Sequence, residues 1–166
     1  MRINQRGLFF NCAWVMLMAI FFAEVEIQIE GAAGWATSLP TWRIESHWLL
    51  DIFWGGRAMT GYHAWMFPFI AMVFHLPLFF MQTWSWKLQA RALACIMEFW
   101  IVEDFLWFIL NPAFGWERFN PVDVFWHKHW LWGAPLDYWT FSVVACLFFV
   151  CSYRLPKHDL KQELPS

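Results

Sequence analysis

Seven carboxylate and imidazole side chains of this chain are the types that bind transition metals. Together they supply the ligands found in di-iron, di-manganese and mixed-metal sites of helical bundles. The E-x-x-H pairs of soluble bundles and the histidine boxes of membrane desaturases are both absent. The set of residues, rather than a motif, therefore predicts the site. The predicted ligands are Glu26, Glu30, His63, Glu103, Asp104, His127 and His129.

The spacing of these residues indicates which of them share a face. Glu26 and Glu30 are four residues apart, so they lie on one side of a helix. Glu103 and Asp104 are adjacent, so their side chains can lie on either side of one direction that points into the bundle. Glu98 points about 140° away from Glu103 at about 100° per residue, so it needs a partner of its own.

The segment "PVDVFWHKHW" (121–130) supplies the remaining imidazoles. In a helix, Asp123 and His127 would be neighbours and His129 would lie on the opposite face. In an extended chain, His127 and His129 would point the same way. We expect one of the two histidines to be a ligand.

A zinc site is the alternative metal chemistry. A catalytic zinc needs about three protein ligands and an open position. His63, His127 and His129 with one carboxylate would supply them, which would make the protein a membrane zinc hydrolase. A haem held by two histidines is disfavoured, because His63 and His75 fall on one predicted span.

The elements that carry these residues are predicted to lie in a membrane. The chain has 166 residues, of which 60% are apolar and 14% charged, with 15 Trp and 19 Phe. A soluble domain of this size could not bury so much apolar surface. The sequence predicts an all-α integral membrane protein with four transmembrane helices, since a span needs about 20 apolar residues. The predicted spans are residues 7–29, 59–81, 88–110 and 133–153, within one domain of residues 1–153.

The basic residues predict the orientation. Seven of the 11 lysines and arginines fall before the first span, in the turn between spans two and three, or after span four. The positive-inside rule then places both termini in the cytoplasm, with residues 154–166 as a short tail. The predicted location is the cell (inner) membrane, with a short interfacial helix in each of the two outer loops. The first covers residues 41–54, and the second begins at Pro121 after Asn120 as N-cap.

Without a cation, the predicted site would be energetically unfavourable, because its acidic side chains are buried in the membrane. Ten of the 13 acidic residues fall in the outer half or the outer loops, with only four basic residues. A charge at the bilayer centre costs about 2.5–3.5 kcal/mol. A cation would offset both the repulsion and the desolvation of several carboxylates.

Other polar residues have simpler predicted roles. Glu103 and Asp104 could instead orient helices or contact a partner subunit. His75 is expected to be a structural hydrogen-bonding residue, and Glu45, His47 and Asp51 a solvated face. The four cysteines form no CxxC pair and are expected to be small buried residues, not disulfides.

Together these features predict a multi-pass membrane metalloprotein. It would be an oxidoreductase with one or two divalent transition metals, iron or manganese, or zinc as the alternative. The metal would activate dioxygen for an apolar or lipid substrate. The rival prediction is a non-catalytic accessory subunit of a larger membrane complex. The expected partners are the lipid bilayer and other membrane subunits or further copies of the chain. Nucleic acid is not an expected partner, because the net charge of −2 gives no basic surface for it.

Overall fold

A computed structural model describes residues 5–154, without the side chain of Phe53. This part of the chain is mostly helical, as predicted. Its α-helices are α1 (Gln5–Glu30), α2 (Trp48–Phe53), α3 (Gly61–Phe80), α4 (Trp86–Leu110) and α5 (Leu136–Tyr153). A 3₁₀ turn covers Trp116–Arg118, and the short strands are β1 (Arg43–Ile44), β2 (Met59–Thr60), β3 (Trp130–Leu131) and β4 (Ala134–Pro135).

Three helices, α1, α3 and α5, are long and apolar enough to cross a membrane. This confirms the prediction of a membrane protein with transmembrane helices. The fourth long helix, α4, has 25 residues but carries five charged side chains along them, so its composition differs from that of the other three.

Helix α4 lies at the centre of the helix packing. It packs most extensively on α5 and α1 and also contacts α3, whereas α3 and α5 flank it with at most slight contact between them. The carboxyl ends of α1 and α4 and the amino ends of α3 and α5 meet at one end of the bundle. We call this the loop end, because residues 31–60 and 111–135 cover it.

Two buried apolar clusters build the interior. Phe99 of α4 is at the centre of the first, which lies in the middle of the bundle and towards the end opposite the loop end. The second lies at the loop end, where Trp107 and Phe108 of α4 pack on Trp126 of the second loop. Gly34 of the first loop lies directly against the Trp126 ring, where a Cβ atom would not fit. The two loops are thus part of the core that supports the site.

The amino ends of α3 and α5 differ from the predicted boundaries of 59 and 133. Met59–Thr60 pairs as a strand with Arg43–Ile44, and the Thr60 side chain then caps α3 by accepting a hydrogen bond from the His63 N–H. Gly133 and Trp132 form the turn of the β3–β4 hairpin with φ values of 81° and 51°. Positive φ at both central residues is typical of a type I′ turn, so α5 begins only after the hairpin.

The predicted interfacial helix over residues 41–54 is shorter in the structure. Pairing of β1 with β2 removes its first half, and α2 covers only Trp48–Phe53. The His47 side chain caps α2 by accepting a hydrogen bond from the Leu49 N–H. Glu45, His47 and Asp51 are exposed, in keeping with their predicted solvated role.

The predicted helix from Pro121 was wrong. Asn120 Oδ1 does accept hydrogen bonds from the N–H groups of Val122 and Asp123, as an N-cap would. The chain then makes only a turn, because Val124 and Trp126 are drawn into the core while Phe125 stays exposed. In a helix, Val124 and Trp126 would lie about 200° apart and so on nearly opposite faces, and both could not be buried in the core.

Other polar predictions agree with the structure. His75 Nδ1 lies 2.7 Å from the Ala71 carbonyl oxygen and Nε2 lies 2.9 Å from Gln89, so His75 joins α3 to α4. All four cysteines are free. Cys146 and Cys151 are exposed on α5, however, and were not expected to be. Of the predicted tail, only Arg154 lies within the described residues.

Asn111 ends α4 and ties the loop end together. Its side-chain N–H donates to the Gly31 carbonyl oxygen at 2.7 Å, and its Oδ1 accepts from the Ala113 N–H at 2.9 Å. We expect Asn111→Ala to lower the free energy of unfolding by about 1–3 kcal/mol, because it leaves buried polar groups unpaired. Unfolding of the detergent-solubilised protein, followed by tryptophan fluorescence, measures the loss. Asn111→Asp, which keeps the acceptor alone, should lie between alanine and wild type, and a neutral alanine variant would contradict this role.

Candidate metal centre

Three of the predicted ligands come together at the loop end. One ligand atom from each of Glu26, Glu30 and His63 lies within 4.8 Å of the other two. Glu26 and Glu30 occupy successive turns of α1, and His63 occupies the first turn of α3. All three are buried. Two carboxylates and one imidazole at this separation match the donor set that iron, manganese and zinc take.

Glu103 of α4 completes one wall of the same cluster. Its carboxyl group is within hydrogen-bonding contact of Glu26, and it is only 2% exposed. Its Oε1 atom has no hydrogen-bond partner. Two buried carboxylates in contact repel each other unless they share a proton or a cation. No ion pair among residues 5–154 includes Glu26, Glu30 or Glu103.

The other side of Glu30 is fixed by the backbone. Glu30 Oε1 accepts a hydrogen bond from the Ala36 N–H at 2.5 Å. The chain folds back here because Gly31, with φ of 61°, ends α1 in the left-handed conformation typical of the residue after a helix. One carboxylate oxygen of Glu30 is thus held in place.

His63 is oriented by its neighbours rather than left to rotate. Its Nδ1 lies 2.7 Å from Thr60 Oγ1, and its ring stacks on Trp35 with centroids 4.0 Å apart. In the tautomer with the proton on Nδ1, Thr60 Oγ1 accepts a hydrogen bond from that N–H and Nε2 keeps its lone pair. Outer contacts of this kind fix the tautomer of a metal-binding imidazole.

Asp104 lies in a second polar cluster beside the first. It accepts a short hydrogen bond from the Tyr138 hydroxyl. Its Oδ2 is also 3.1 Å from His127 Nε2, an ion-pair distance without the alignment of a hydrogen bond. Adjacent residues of α4 thus serve different clusters, with Glu103 in the Glu26–Glu30–His63 group and Asp104 in the His127 group.

Arg57 and Asp137 complete the second cluster. Arg57 Nη2 lies 2.5 Å from Asp137 Oδ2, and its Nη1 lies 3.1 Å from His127 Nδ1. The guanidinium also stacks over the Trp35 ring, 4.9 Å from its centroid. Trp35 therefore contacts both Arg57 of the second cluster and His63 of the first.

The two predicted loop histidines have different surroundings. His127 is 4% exposed, and both of its nitrogens face charged groups. The side chain of His129 is exposed. Its backbone carbonyl oxygen accepts a hydrogen bond from the Leu136 N–H. The structure therefore brings His127 close to the predicted site and leaves His129 outside it.

The pKa of His127 reflects competing effects. Burial lowers the pKa of this imidazole, but the Asp104 carboxylate, with a further contribution from Asp137, outweighs burial and raises it above the ordinary value of 6.5. A neutral ring accepts from Arg57 at Nδ1. When the ring is protonated, Nδ1 carries a hydrogen and faces Asp137 Oδ1, which is 3.5 Å away.

This shift predicts a pH dependence of stability. A pKa raised on folding adds stability that is complete below about 6.5 and is lost as the pH rises through the folded-state pKa. The free energy of unfolding of the wild type should therefore fall above pH 6.5 more steeply than that of His127→Gln. Thermal unfolding from pH 5.5 upwards measures the two slopes. His129→Gln is the control and should keep the wild-type slope; equal slopes in wild type and His127→Gln would contradict the assignment.

Sequence reasoning left several members of these clusters out of the predicted ligand set. These members are Arg57, Thr60, Asp137 and Tyr138. Arg57 could have been found, since four basic residues share a side with ten acids and each is expected to pair. Tyr138 carries no signal in the sequence, because its partner Asp104 is 34 residues away in another helix. Thr60 could have been recognised as an N-cap residue, since threonine is favoured there and His63 lies three residues further on.

A cavity of about 310 Å³, which we call the main cavity, adjoins both clusters. The acids and His63 line its polar end. Aromatic rings line most of the rest, including Trp54, Phe67 and Trp100. Ligand sites in proteins are typically such apolar cavities with a few convergent polar groups.

Glu98 lies away from the two polar clusters, as its angular position on α4 predicted. It contacts the Cys12 thiol of α1, and its Oε2 has no hydrogen-bond partner. A second cavity of about 400 Å³ lies beside it, between α1, α4 and α5. Glu98 therefore does not contribute to the clusters at the loop end.

The geometry favours some metal chemistries over others. The Glu26–Glu30–His63 group with Glu103 offers carboxylate-rich ligation. The three-histidine set of the zinc alternative is not assembled among the described residues, because His129 is exposed and both nitrogens of His127 face charged groups.

No protein-family model, no curated protein sequence and no solved structure matches the chain.

Proposed function

We propose that the protein is a multi-pass membrane metalloprotein that binds a divalent transition metal through Glu26, Glu30, His63 and Glu103. One observation carries the proposal. Three buried side chains of metal-binding type converge within 4.8 Å, and a fourth buried carboxyl group beside them has an oxygen without a partner. A metal would neutralise the carboxylates and occupy that oxygen.

The proposed reaction is an oxidation in which the metal activates dioxygen. Carboxylates with one imidazole are the ligands of iron and manganese sites that perform such chemistry in helical bundles. The aromatic lining of the main cavity would exclude water and accept an apolar or lipid substrate. The neighbouring Tyr138, Asp104 and His127 would hold or transfer protons at the edge of the site.

The proposed topology has four spans, with α4 as the third. Its charged residues near the site are tolerated because Glu103 is buried inside the bundle and Asp104 is partnered by Tyr138 and His127. Arg6, Lys87 and Arg91 lie at the end opposite the site. The positive-inside rule then places both termini in the cytoplasm and the site towards the outer face of the cell (inner) membrane.

Metal analysis of the purified protein tests the proposal. The full-length protein is purified without metal-chelating resins, and its iron, manganese and zinc are measured by elemental analysis. We expect close to one or two metal ions per chain, or recovery of that content after reloading with Fe²⁺ or Mn²⁺. A chain that neither carries nor takes up metal would contradict the proposal and leave an accessory role in a membrane complex as the better explanation.

A further inference from the structure

We infer that the main cavity admits its substrate sideways from the bilayer, between α3 and α5, and that this substrate is a single-chain lipid with a small uncharged oxygen-bearing head. The inference rests on the proposed metal site, because the head would meet the metal there. It adds the route of entry and the class of lipid.

The cavity extends from the acids along α4 into the bundle. Ile96 and Met97 line it together with Glu103. Seven residues separate Ile96 from Glu103, so at about 1.5 Å per residue the cavity follows the helix for roughly 10 Å. In the proposed topology this direction leads from the outer interface towards the middle of the bilayer.

The mouth of the cavity is on the side of the bundle. Phe141 of α5 both lines the cavity and is 37% exposed, whereas the loop residues at its other end, Trp35 and Trp126, are 8% and 7% exposed. Helices α3 and α5 have at most slight contact with each other, and the cavity-lining residues Met97, Ile101 and Asp104 of α4 are partly exposed. The loops therefore close the cavity towards water, and the open side faces where lipid chains would be.

The size and charge of the cavity select the class of lipid. A volume of about 310 Å³ suits one chain and is small for a lipid with two. Its polar end holds three buried carboxyl groups, and Arg57 is already paired with Asp137. One divalent ion leaves the three carboxylates with a net negative charge, so a phosphate or carboxylate head would be repelled, while a hydroxyl or carbonyl oxygen can reach an open metal position.

Photolabelling tests the inference. The full-length protein in nanodiscs is irradiated with a long-chain alcohol carrying a diazirine at its chain end, and labelled peptides are mapped by mass spectrometry. We expect labels on α4 near Met97 and on α5 near Phe141. An excess of unlabelled long-chain alcohol should suppress them, and the corresponding fatty-acid carboxylate should suppress them less.

A bulky side chain placed inside the cavity can be compared with the same side chain placed outside it. Met97→Trp should reduce labelling at least about tenfold, because each methylene group that leaves the cavity lowers affinity about fourfold. Met72→Trp, at a position on α3 that is 59% exposed and outside the cavity, should label as the wild type does. Met97→Phe is the milder variant if Met97→Trp does not fold.

Metal content measured on the same samples separates the two proposals. Normal metal content with labels spread evenly over the exposed helix faces, or labelling unchanged by Met97→Trp and Met97→Phe, would overturn the lipid inference alone. Stronger competition by the carboxylate than by the alcohol would overturn the uncharged head. Cavity labelling in a protein that takes up no metal would overturn the metal site, and with it the role of the lipid as a substrate.

Discussion

Glu103→Gln should lower the affinity of the protein for Mn²⁺ or Fe²⁺ by at least about 100-fold, since loss even of an outer-shell partner costs 10–100-fold. Glutamine keeps the volume of the side chain and its contact with Glu26, but it removes a negatively charged ligand. The stability of the metal-free protein should therefore change by less than about 1 kcal/mol, as expected for a substitution that creates no cavity.

Stabilisation by metal measures the effect. A metal at 100 times its dissociation constant should stabilise the wild type by about 2.7 kcal/mol, and this gain should fall to about 0.4 kcal/mol or less in Glu103→Gln at the same metal concentration. Glu98→Gln is the matched control, because it replaces another acid of α4 that faces the second cavity. It should bind metal as the wild type does. Unchanged binding by Glu103→Gln would remove Glu103 from the ligands, and equal losses in both variants would show that the effect is not local.

Arg57→Ala should lower the free energy of unfolding by about 3–5 kcal/mol, the loss expected when one partner of a buried ion pair is removed. The Asp137 carboxylate would lose its partner at 2.5 Å, and the Trp54 carbonyl oxygen would lose the N–H that Arg57 donates. Thermal or denaturant unfolding of the solubilised protein, with tryptophan fluorescence as the signal, gives the difference.

An exposed pair provides the comparison. Glu45→Ala breaks the Arg43–Glu45 ion pair, in which Glu45 is 71% exposed, and should cost less than about 1 kcal/mol. The double variant Arg57→Ala, Asp137→Ala should recover part of the loss, because it removes the unpaired carboxylate as well. A single Arg57→Ala variant as stable as Glu45→Ala would mean that the buried pair does not hold the loops on the bundle.

The helices themselves were predictable from local composition. Apolar length alone located α1, α3, α4 and α5 to within a few residues, because a segment of that kind must be helical in lipid to pair its backbone groups. The ends were less predictable. Gly133 was taken as the start of a span, but its left-handed conformation belongs to a hairpin that forms only when β3 meets β4.

The second loop shows the same limit more strongly. Asn120 and Pro121 have the composition of a helix start, and Asn120 makes the expected cap hydrogen bonds. Burial of Trp126 against Phe108 and of His127 between two carboxylates outweighs this local preference. Local capping contributes about 1 kcal/mol, whereas burying one aromatic ring contributes more.

The sequence by itself determined which residue types are available for chemistry and near which ends of the helices they lie. Buried acids in excess over bases indicate an unusual polar site, and the four-residue spacing of Glu26 and Glu30 places them on one face. Only the tertiary structure decided how the seven predicted ligands divide. Glu26, Glu30, His63 and Glu103 meet in one cluster, Asp104 and His127 join Arg57 in another, and His129 remains exposed. That division depends on how far each helix is rotated and on where the loops fold back, and both are set by packing between residues distant in the sequence.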